Sequence, residues 1–234
     1  MSYLSVIIPT LNEATNIGAC VTALRASDPS IQIIVADGGS RDQTVAQAIA
    51  AGATVVSAPR GRGPQCNAGA AAANGELLLF LHADTSLPSG AYALVRATFA
   101  NPRVAIAKFR LSFDIRHPIL DLVARMMWID SRFSSYGDQG IVIRRDLFHA
   151  LGGFPEWPLF EDVRLFELAR ARTRIHVLPA AVVTSARRFQ ANGALKQLLF
   201  DVMLWTAYVA GVSPFTIAAR YERGKSGRGS EERQ

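Results

Sequence analysis

The sequence predicts an α/β fold: an open, mostly parallel, Rossmann-like sheet flanked by helices, with a helical C-terminal segment. Three observations carry that expectation. Four short runs, 4–8, 31–36, 54–56 and 77–81, are apolar without polar alternation, as expected of strands covered on both faces. Alanine-rich helical stretches at 14–27, 41–51 and 64–73 separate them, so about the first hundred residues read βαβαβαβ. Each run also ends in a polar loop, and open sheets of this kind bind ligands at the carboxyl ends of their strands.

The second half is less regular. "AIAKFRLSF" and "QGIVIRR" read as strands, and "HPILDLVARMMWIDSRF" as one helix with Pro118 near its start. "FEDVRLFELARARTR" opens a helix with acids and closes it with arginines, as the helix dipole favours. No repeat or linker interrupts the chain, so residues 1–220 are expected to form a single domain. It would have two halves, the regular βα part at about 1–100 and the less regular part at about 101–220. The polar, glycine-rich 221–234 is expected to be a disordered tail.

With 234 residues, half of them hydrophobic, the chain can bury a sizeable core. Lys+Arg 25 against Asp+Glu 19 gives a net charge of +6, and lysine appears only at 108, 196 and 225. An arginine surplus suits phosphate or carboxylate ligands, or an anionic lipid surface, better than nucleic acid. Cys20 and Cys66 have neither CxxC spacing nor a histidine cluster, which excludes a zinc site or disulfide framework. The expected location is cytoplasmic, extending to the inner membrane face. The apolar segment 194–211 is too short and too interrupted by Asp201 to span a bilayer. It suits a core or dimer helix, or one lying on a membrane surface.

Read together, the four strand-end loops gather chemistry. "PTLNE", "ADGGSRDQT", "APRGRGPQCNAG" and "HADT" would bring Thr10, Glu13, Asp37, Arg60, Arg62, Asn67 and Asp84 to one crevice. That set suits a nucleotide diphosphate, with carboxylates for a base edge and a metal, and arginines for phosphate. Neither GxGxxG nor a P-loop is present.

"SVIIPTLNE", "DGGSRDQT", "GRGPQCNAGA", "LLFLHADT" and "FEDVRL", in this order, resemble family 2 glycosyltransferases, whose fold is the GT-A type. More narrowly, "GRGPQCNAGA", "YGDQG", "FPEWPLFEDV" and "SARRF" look like a bacterial subfamily associated with radical-SAM and selenodomain proteins. The resemblance implies an inverting, metal-dependent transferase acting on a nucleotide-diphosphate sugar. Pro9, Thr10, Leu11, Glu13, Asp37, Gly38, Arg60, Arg62, Asn67, His82, Ala83 and Asp84 would hold the donor. Asp84 matches the last acid of the DxD motif and would hold Mg²⁺ or Mn²⁺, whereas His82 stands where the pattern has its first acid. Asp162, with Glu161 beside it, matches the acidic pair that supplies the general base. Asp138, Gln139, Trp157, Arg187 and Arg188 are candidates for acceptor or phosphate contacts. Two alternatives stay open: a nucleotidyltransferase, disfavoured because "PTLNEATN" lacks a glycine-rich loop, and a non-catalytic nucleotide-sugar binder.

Overall fold

A computed structural model describes residues 3–226. The first half runs β1 (Leu4–Thr10), α1 (Ile17–Ser27), β2 (Gln32–Asp37), α2 (Thr44–Ala50), β3 (Thr54–Ser57), α3 (Arg62–Ala71) and β4 (Leu77–Phe80). The expected strands are present, whereas α1 starts three residues later than the sequence pattern suggested. Glu13 and Asn16 instead form a turn, with the backbone carbonyl of Glu13 accepting from Asn16 and Ile17. β3, β2, β1 and β4 lie side by side and parallel. Their residues are almost wholly buried in β1, β2 and β4, because helices cover both faces. β1 leads away to β2 on one side while β4 sits on its other side, so the strand order reverses between them. The crevice of such a sheet opens at that point.

The second half completes the same sheet differently. It contributes β5 (Thr85–Ser86), α4 (Ala91–Phe99), β6 (Ile106–Phe113), α5 (Pro118–Met126), β7 (Ile141–Arg144), α6 (Arg145–Ala150), α7 (Glu161–Arg170) and β8 (Ile175–Thr184). The full order is β3-β2-β1-β4-β7-β6-β8-β5. β7 is antiparallel to both β4 and β6, and β5 is antiparallel to β8. The sheet is therefore continuous across both halves of the sequence.

Two features depart from the sequence pattern. β8 was not among the expected strands, and it contains Pro179, a residue uncommon inside strands. The sheet absorbs the proline at an irregularity: Phe109 pairs with Leu178 but Arg110 with Ala181, leaving Pro179 and Ala180 out of register. The helix expected over 117–133 ends at Met126. Beyond it the chain wraps around a buried cation. Lys108 is fully buried in β6, and its Nζ donates to the carbonyl oxygens of Ile129, at 3.0 Å, and Ser134, and to Gln139 Oε1 at 3.4 Å. A desolvated ammonium needs those acceptors more than the helix needs another turn, and burial pushes Lys108 down to about 8.

The chain ends in α8 (Arg187–Asn192), α9 (Ala194–Val209) and α10 (Pro214–Ser226). The last helix enters the stretch expected to be a disordered tail, so 221–226 are helical. The remainder of that stretch lies outside the described residues.

Candidate active site

The polar loops meet at the carboxyl ends of β1, β2 and β4. Asp37, at the end of β2, is buried and receives the backbone N–H groups of Gly39 (3.0 Å) and Ser40 (2.9 Å) on Oδ2. Its Oδ1 accepts from Ser40 Oγ at 2.5 Å and Thr10 Oγ1 at 3.4 Å. The carboxylate therefore shapes its own turn and ties it to β1. Gly38 leaves room for a residue the sequence had not singled out, since a Cβ there would lie 2.9 Å from the Gln65 side chain. The buried Gln65 amide donates to the carbonyls of Thr10 (2.6 Å) and Ala36 (2.8 Å), clasping both loops from α3. A polar residue on the buried face of a predicted helix was the available signal.

Two groups of carboxylates stand near these loops. In the first, Arg187 NH2 bridges Glu13 Oε1 at 3.1 Å and Asp84 Oδ2 at 3.5 Å, joining α8 to the loops after β1 and β4. Burial raises the Asp84 carboxyl; Arg187 opposes this, and the charge of Glu13 adds to it.

The second group is deeper, at the head of α7. Phe160, immediately before the helix, has φ 65°, an uncommon conformation for a bulky residue, and its ring stacks on Tyr208 at 4.7 Å. This turn delivers Glu161 and Asp162 into the interior, only 3% and 8% exposed, where the N-terminal end of the helix favours negative charge. Asp162 Oδ2 accepts the backbone N–H of Gly137 at 2.6 Å. A Cβ on Gly137 would lie 3.0 Å from that oxygen, so the approach is tight there. Glu161 Oε1 pairs with Arg62 Nε at 2.7 Å, while Glu161 Oε2 and Asp138 Oδ1 are buried without a hydrogen-bond partner among the described residues. Burial pushes Asp138 up to about 6, with the charge of Asp162 adding. Burial also raises Glu161 against the pull of Arg62.

His82 joins this second group. A Cβ on Gly137 would lie 3.5 Å from His82 Nε2, which places the imidazole on the Asp162 side. Burial, helped by the Arg62 and Arg188 charges, pushes His82 down to about 3, so it stays neutral. A pocket lined by Pro9, Arg62, His82, Gly137, Glu161 and Asp162, among others, joins the ends of β1 and β4 to the head of α7. The Arg188 charge acts on His82, Asp84 and Asp138 together.

Several expected ligand residues have other roles. Asn67 spends its amide on Phe154, donating to its carbonyl at 2.8 Å and accepting its N–H at 2.9 Å. It secures the segment before α7 and is not turned to a ligand. Gln139 is fully buried; its Nε2 donates to the Met127 carbonyl at 2.9 Å, and its Oε1 accepts from the Tyr136 N–H. It builds the Lys108 loop and is no acceptor contact. Ala83 belongs to the core, so only its backbone is left for a ligand. Leu11 is half-buried on the loop after β1 and Arg60 is exposed before α3. Trp157 is half-buried, its ring 6.4 Å from that of Tyr208.

The profile of glycosyl transferase family 2 matches residues 5–139, from β1 through the Gly137–Gln139 turn. The chain belongs to that family. No curated protein matches it. Among solved structures, glucosyl-3-phosphoglycerate synthase from Mycobacterium tuberculosis is similar, at 21% identity and TM-score 0.64, over 90% of this chain and 81% of that one. Mannosyltransferase PcManGT from Pyrobaculum calidifontis, solved with GDP-Man and Mn²⁺, aligns at 18% identity and TM-score 0.61, over 96% and 79%. S. aureus TarS 1-349, solved with UDP-GlcNAc, aligns at 20% and 0.61, over 79% of this chain and 58% of that one. The chain thus spans less than two thirds of the TarS chain, and 65% of a mycobacterial protein at TM-score 0.57. These likenesses establish a GT-A glycosyltransferase fold. Membership of that family does not support the nucleotidyltransferase alternative.

Proposed function

We propose that the protein is an inverting glycosyltransferase that moves a sugar from a nucleotide-diphosphate donor to an acceptor hydroxyl, with Asp162 as general base. The observation that carries this reading is the pair of unsatisfied buried oxygens, Glu161 Oε2 and Asp138 Oδ1, in the group that contains Asp162. Buried acceptors lacking donors are costly, and the hydroxyls of a sugar and its acceptor supply the missing donors. Family membership, and relatives solved with UDP-GlcNAc or GDP-Man, support the donor class.

Asp162 is held for proton abstraction. The Gly137 N–H fixes one oxygen and the Val163 N–H the other, at 2.7 Å, while the neutral His82 adds no competing positive charge. A carboxylate so fixed takes the acceptor proton as the hydroxyl oxygen attacks the anomeric carbon opposite the departing diphosphate. Arg62 keeps Glu161 in place, and Glu161 orients a sugar hydroxyl through its free oxygen. Arg187 and Arg188 would receive phosphate charge, a reading supported by the Arg187 contacts to Glu13 and Asp84 and by the Arg188 charge acting on Asp84.

Asp84 fits a divalent cation. Its carboxylate is partly desolvated and meets Arg187 in a 3.5 Å ion-pair contact. No cluster of three metal-ligating side chains lies among the described residues, so Asp84 and the donor's own phosphate oxygens would form the set, as Mg²⁺ or Mn²⁺ tolerates. Such an ion would supply charge stabilisation to the leaving diphosphate.

The test is Asp162→Asn. Turnover, read as donor hydrolysis or transfer, should fall on the order of 10²- to 10⁴-fold, while nucleotide-sugar binding by calorimetry stays near the parent value. Full turnover in this variant would remove Asp162 from the role of base.

A further inference from the structure

One surface of this molecule is apolar where helices normally face water. In α9 the only buried residue is polar, Gln197, whereas Leu195, Leu199, Val202 and Met203 are 52–61% exposed. Gln197 is satisfied from within the protein, by Asn192 at 2.7 Å and Asp201 at 2.8 Å. The helix thus keeps its hydrogen-bonding residue inside and turns its large aliphatic residues outward, the reverse of a soluble amphipathic helix. A second outward stripe runs along and beyond α5 through Leu122, Met126, Ile129 and Phe133, each 61–63% exposed. Leu122 and Met126 are one helical turn apart on α5, and Ile129 and Phe133 follow in the loop beyond it. The two stripes meet, since the Phe133 ring lies 4.5 Å from that of Trp205 in α9. A joined patch of this kind exceeds the scattered exposed hydrophobics of an ordinary surface.

We propose that this α5–α9 face docks on an anionic bilayer surface. Charge selects the occupant. Among the described residues of these helices, Arg125 on α5, Lys196 on α9 and Arg220 on α10 are exposed cations and Asp121 is the exposed acid; Asp201 on α9 is half-buried, and Asp130, next to Ile129, is paired with Arg170. Apolar residues inserted below a basic rim match the headgroup and acyl layers of an acidic membrane. A second copy fits less well, because a two-fold contact would set the same cationic rim against itself. Residues 227–234, "GRGSEERQ", offer no apolar side chain to cover the patch. The mode is peripheral, as no described helix is long and apolar enough to cross a membrane.

The docking face adjoins the candidate site. α8 packs on α9 and carries Arg187 to Glu13 and Asp84. Where the transferase reading holds, this places the site beside an acceptor carried in the bilayer. The docking itself does not depend on that reading.

The experiment is flotation of the full chain, without donor, on vesicles of phosphatidylcholine alone and of phosphatidylcholine mixed with phosphatidylglycerol. The chain should float only with the mixed vesicles, and added salt should release it. The double variant Leu199→Glu/Met203→Glu should lower partitioning by at least about tenfold. Lys196→Gln should lower it by about fivefold. All these positions are exposed, so circular dichroism should report an unchanged fold. Absence of flotation on mixed vesicles, or equal flotation of the double variant, overturns the proposal. So does a lipid-free dimer in sedimentation velocity that the double variant dissociates, since it assigns the face to a second copy. Donor hydrolysis by the double variant in solution reads the chemistry separately.

Discussion

Two carboxylate groups stand near the strand-end loops and are built differently. Glu13 and Asp84 form an outer group, or rim, sharing the guanidinium of Arg187, itself 55% exposed. Glu161 and Asp162 line the pocket and the half-buried Asp138 is their charged neighbour, with two oxygens lacking a hydrogen-bond partner among the described residues and the Asp138 carboxyl lifted to about 6. The same residue types therefore acquire different chemistry from their partners. In the outer group Arg187 offsets part of the desolvation that raises Asp84, which suits holding a cation and a diphosphate. In the inner group desolvation raises the proton affinity of Asp138 and Glu161.

That contrast can be tested at both ends. Asp84→Asn should abolish metal-dependent binding of a nucleotide diphosphate, a loss of roughly a hundredfold or more, measured by titration with and without Mn²⁺. The loss should disappear when metal is omitted, because the substitution keeps the shape and removes the charge. A variant that still binds with metal-dependent affinity would take Asp84 out of the rim's proposed role.

The inner group depends on a support the rim lacks. Asp138 is carried by the loop that Lys108 holds from below. Lys108→Met keeps the volume but strands the Ile129 and Ser134 carbonyls, and should cost about 3 kcal/mol in urea unfolding. Binding of nucleotide alone should survive in whatever fraction remains folded. An unchanged midpoint would show that the loop is held by other means.

The smallest effect concerns protons. Asp138 rises from its usual 3.8 to about 6 because the folded chain desolvates it. Between those values the folded chain holds a proton that the unfolded chain has released. Stability therefore falls as pH rises through that window and stays at the lower level above it. Asp138→Asn should raise Tm above the parent at neutral pH and converge with it near the acid end of the window. A parallel Tm difference at every pH would show that Asp138 does not hold that proton.

How much of this could be read beforehand varied along the chain. β1 to β4 were legible because continuous apolar runs between alanine-rich stretches have few other solutions. The motif pair at 161–162 was legible as chemistry, but its burial was not, because acids in a helix's first turn usually face water. Gln139 and Asn67 were read as ligand residues, whereas their amides bond to backbone groups. Gln139 lies in a turn before a glycine and Asn67 on α3, and a polar side chain in either setting can serve a ligand or the backbone. β8 contains Pro179, a residue uncommon inside strands, and the early end of α5 was hidden by Lys108, whose burial no local pattern announces.

The sequence alone determined the parallel core and the loops at its carboxyl ends, since burial on both faces leaves a mark in every residue of a strand. It also determined which residue types reach the crevice. Tertiary structure alone decided which carboxylates are wet and which dry, which amides are spent on backbone, and that α9 turns its apolar side outward. Those outcomes depend on distant partners such as Arg62 with Glu161, Gln65 with Thr10, and Lys108 with Ser134. Desolvation is set by everything packed around a group, and no window of neighbouring residues contains that information.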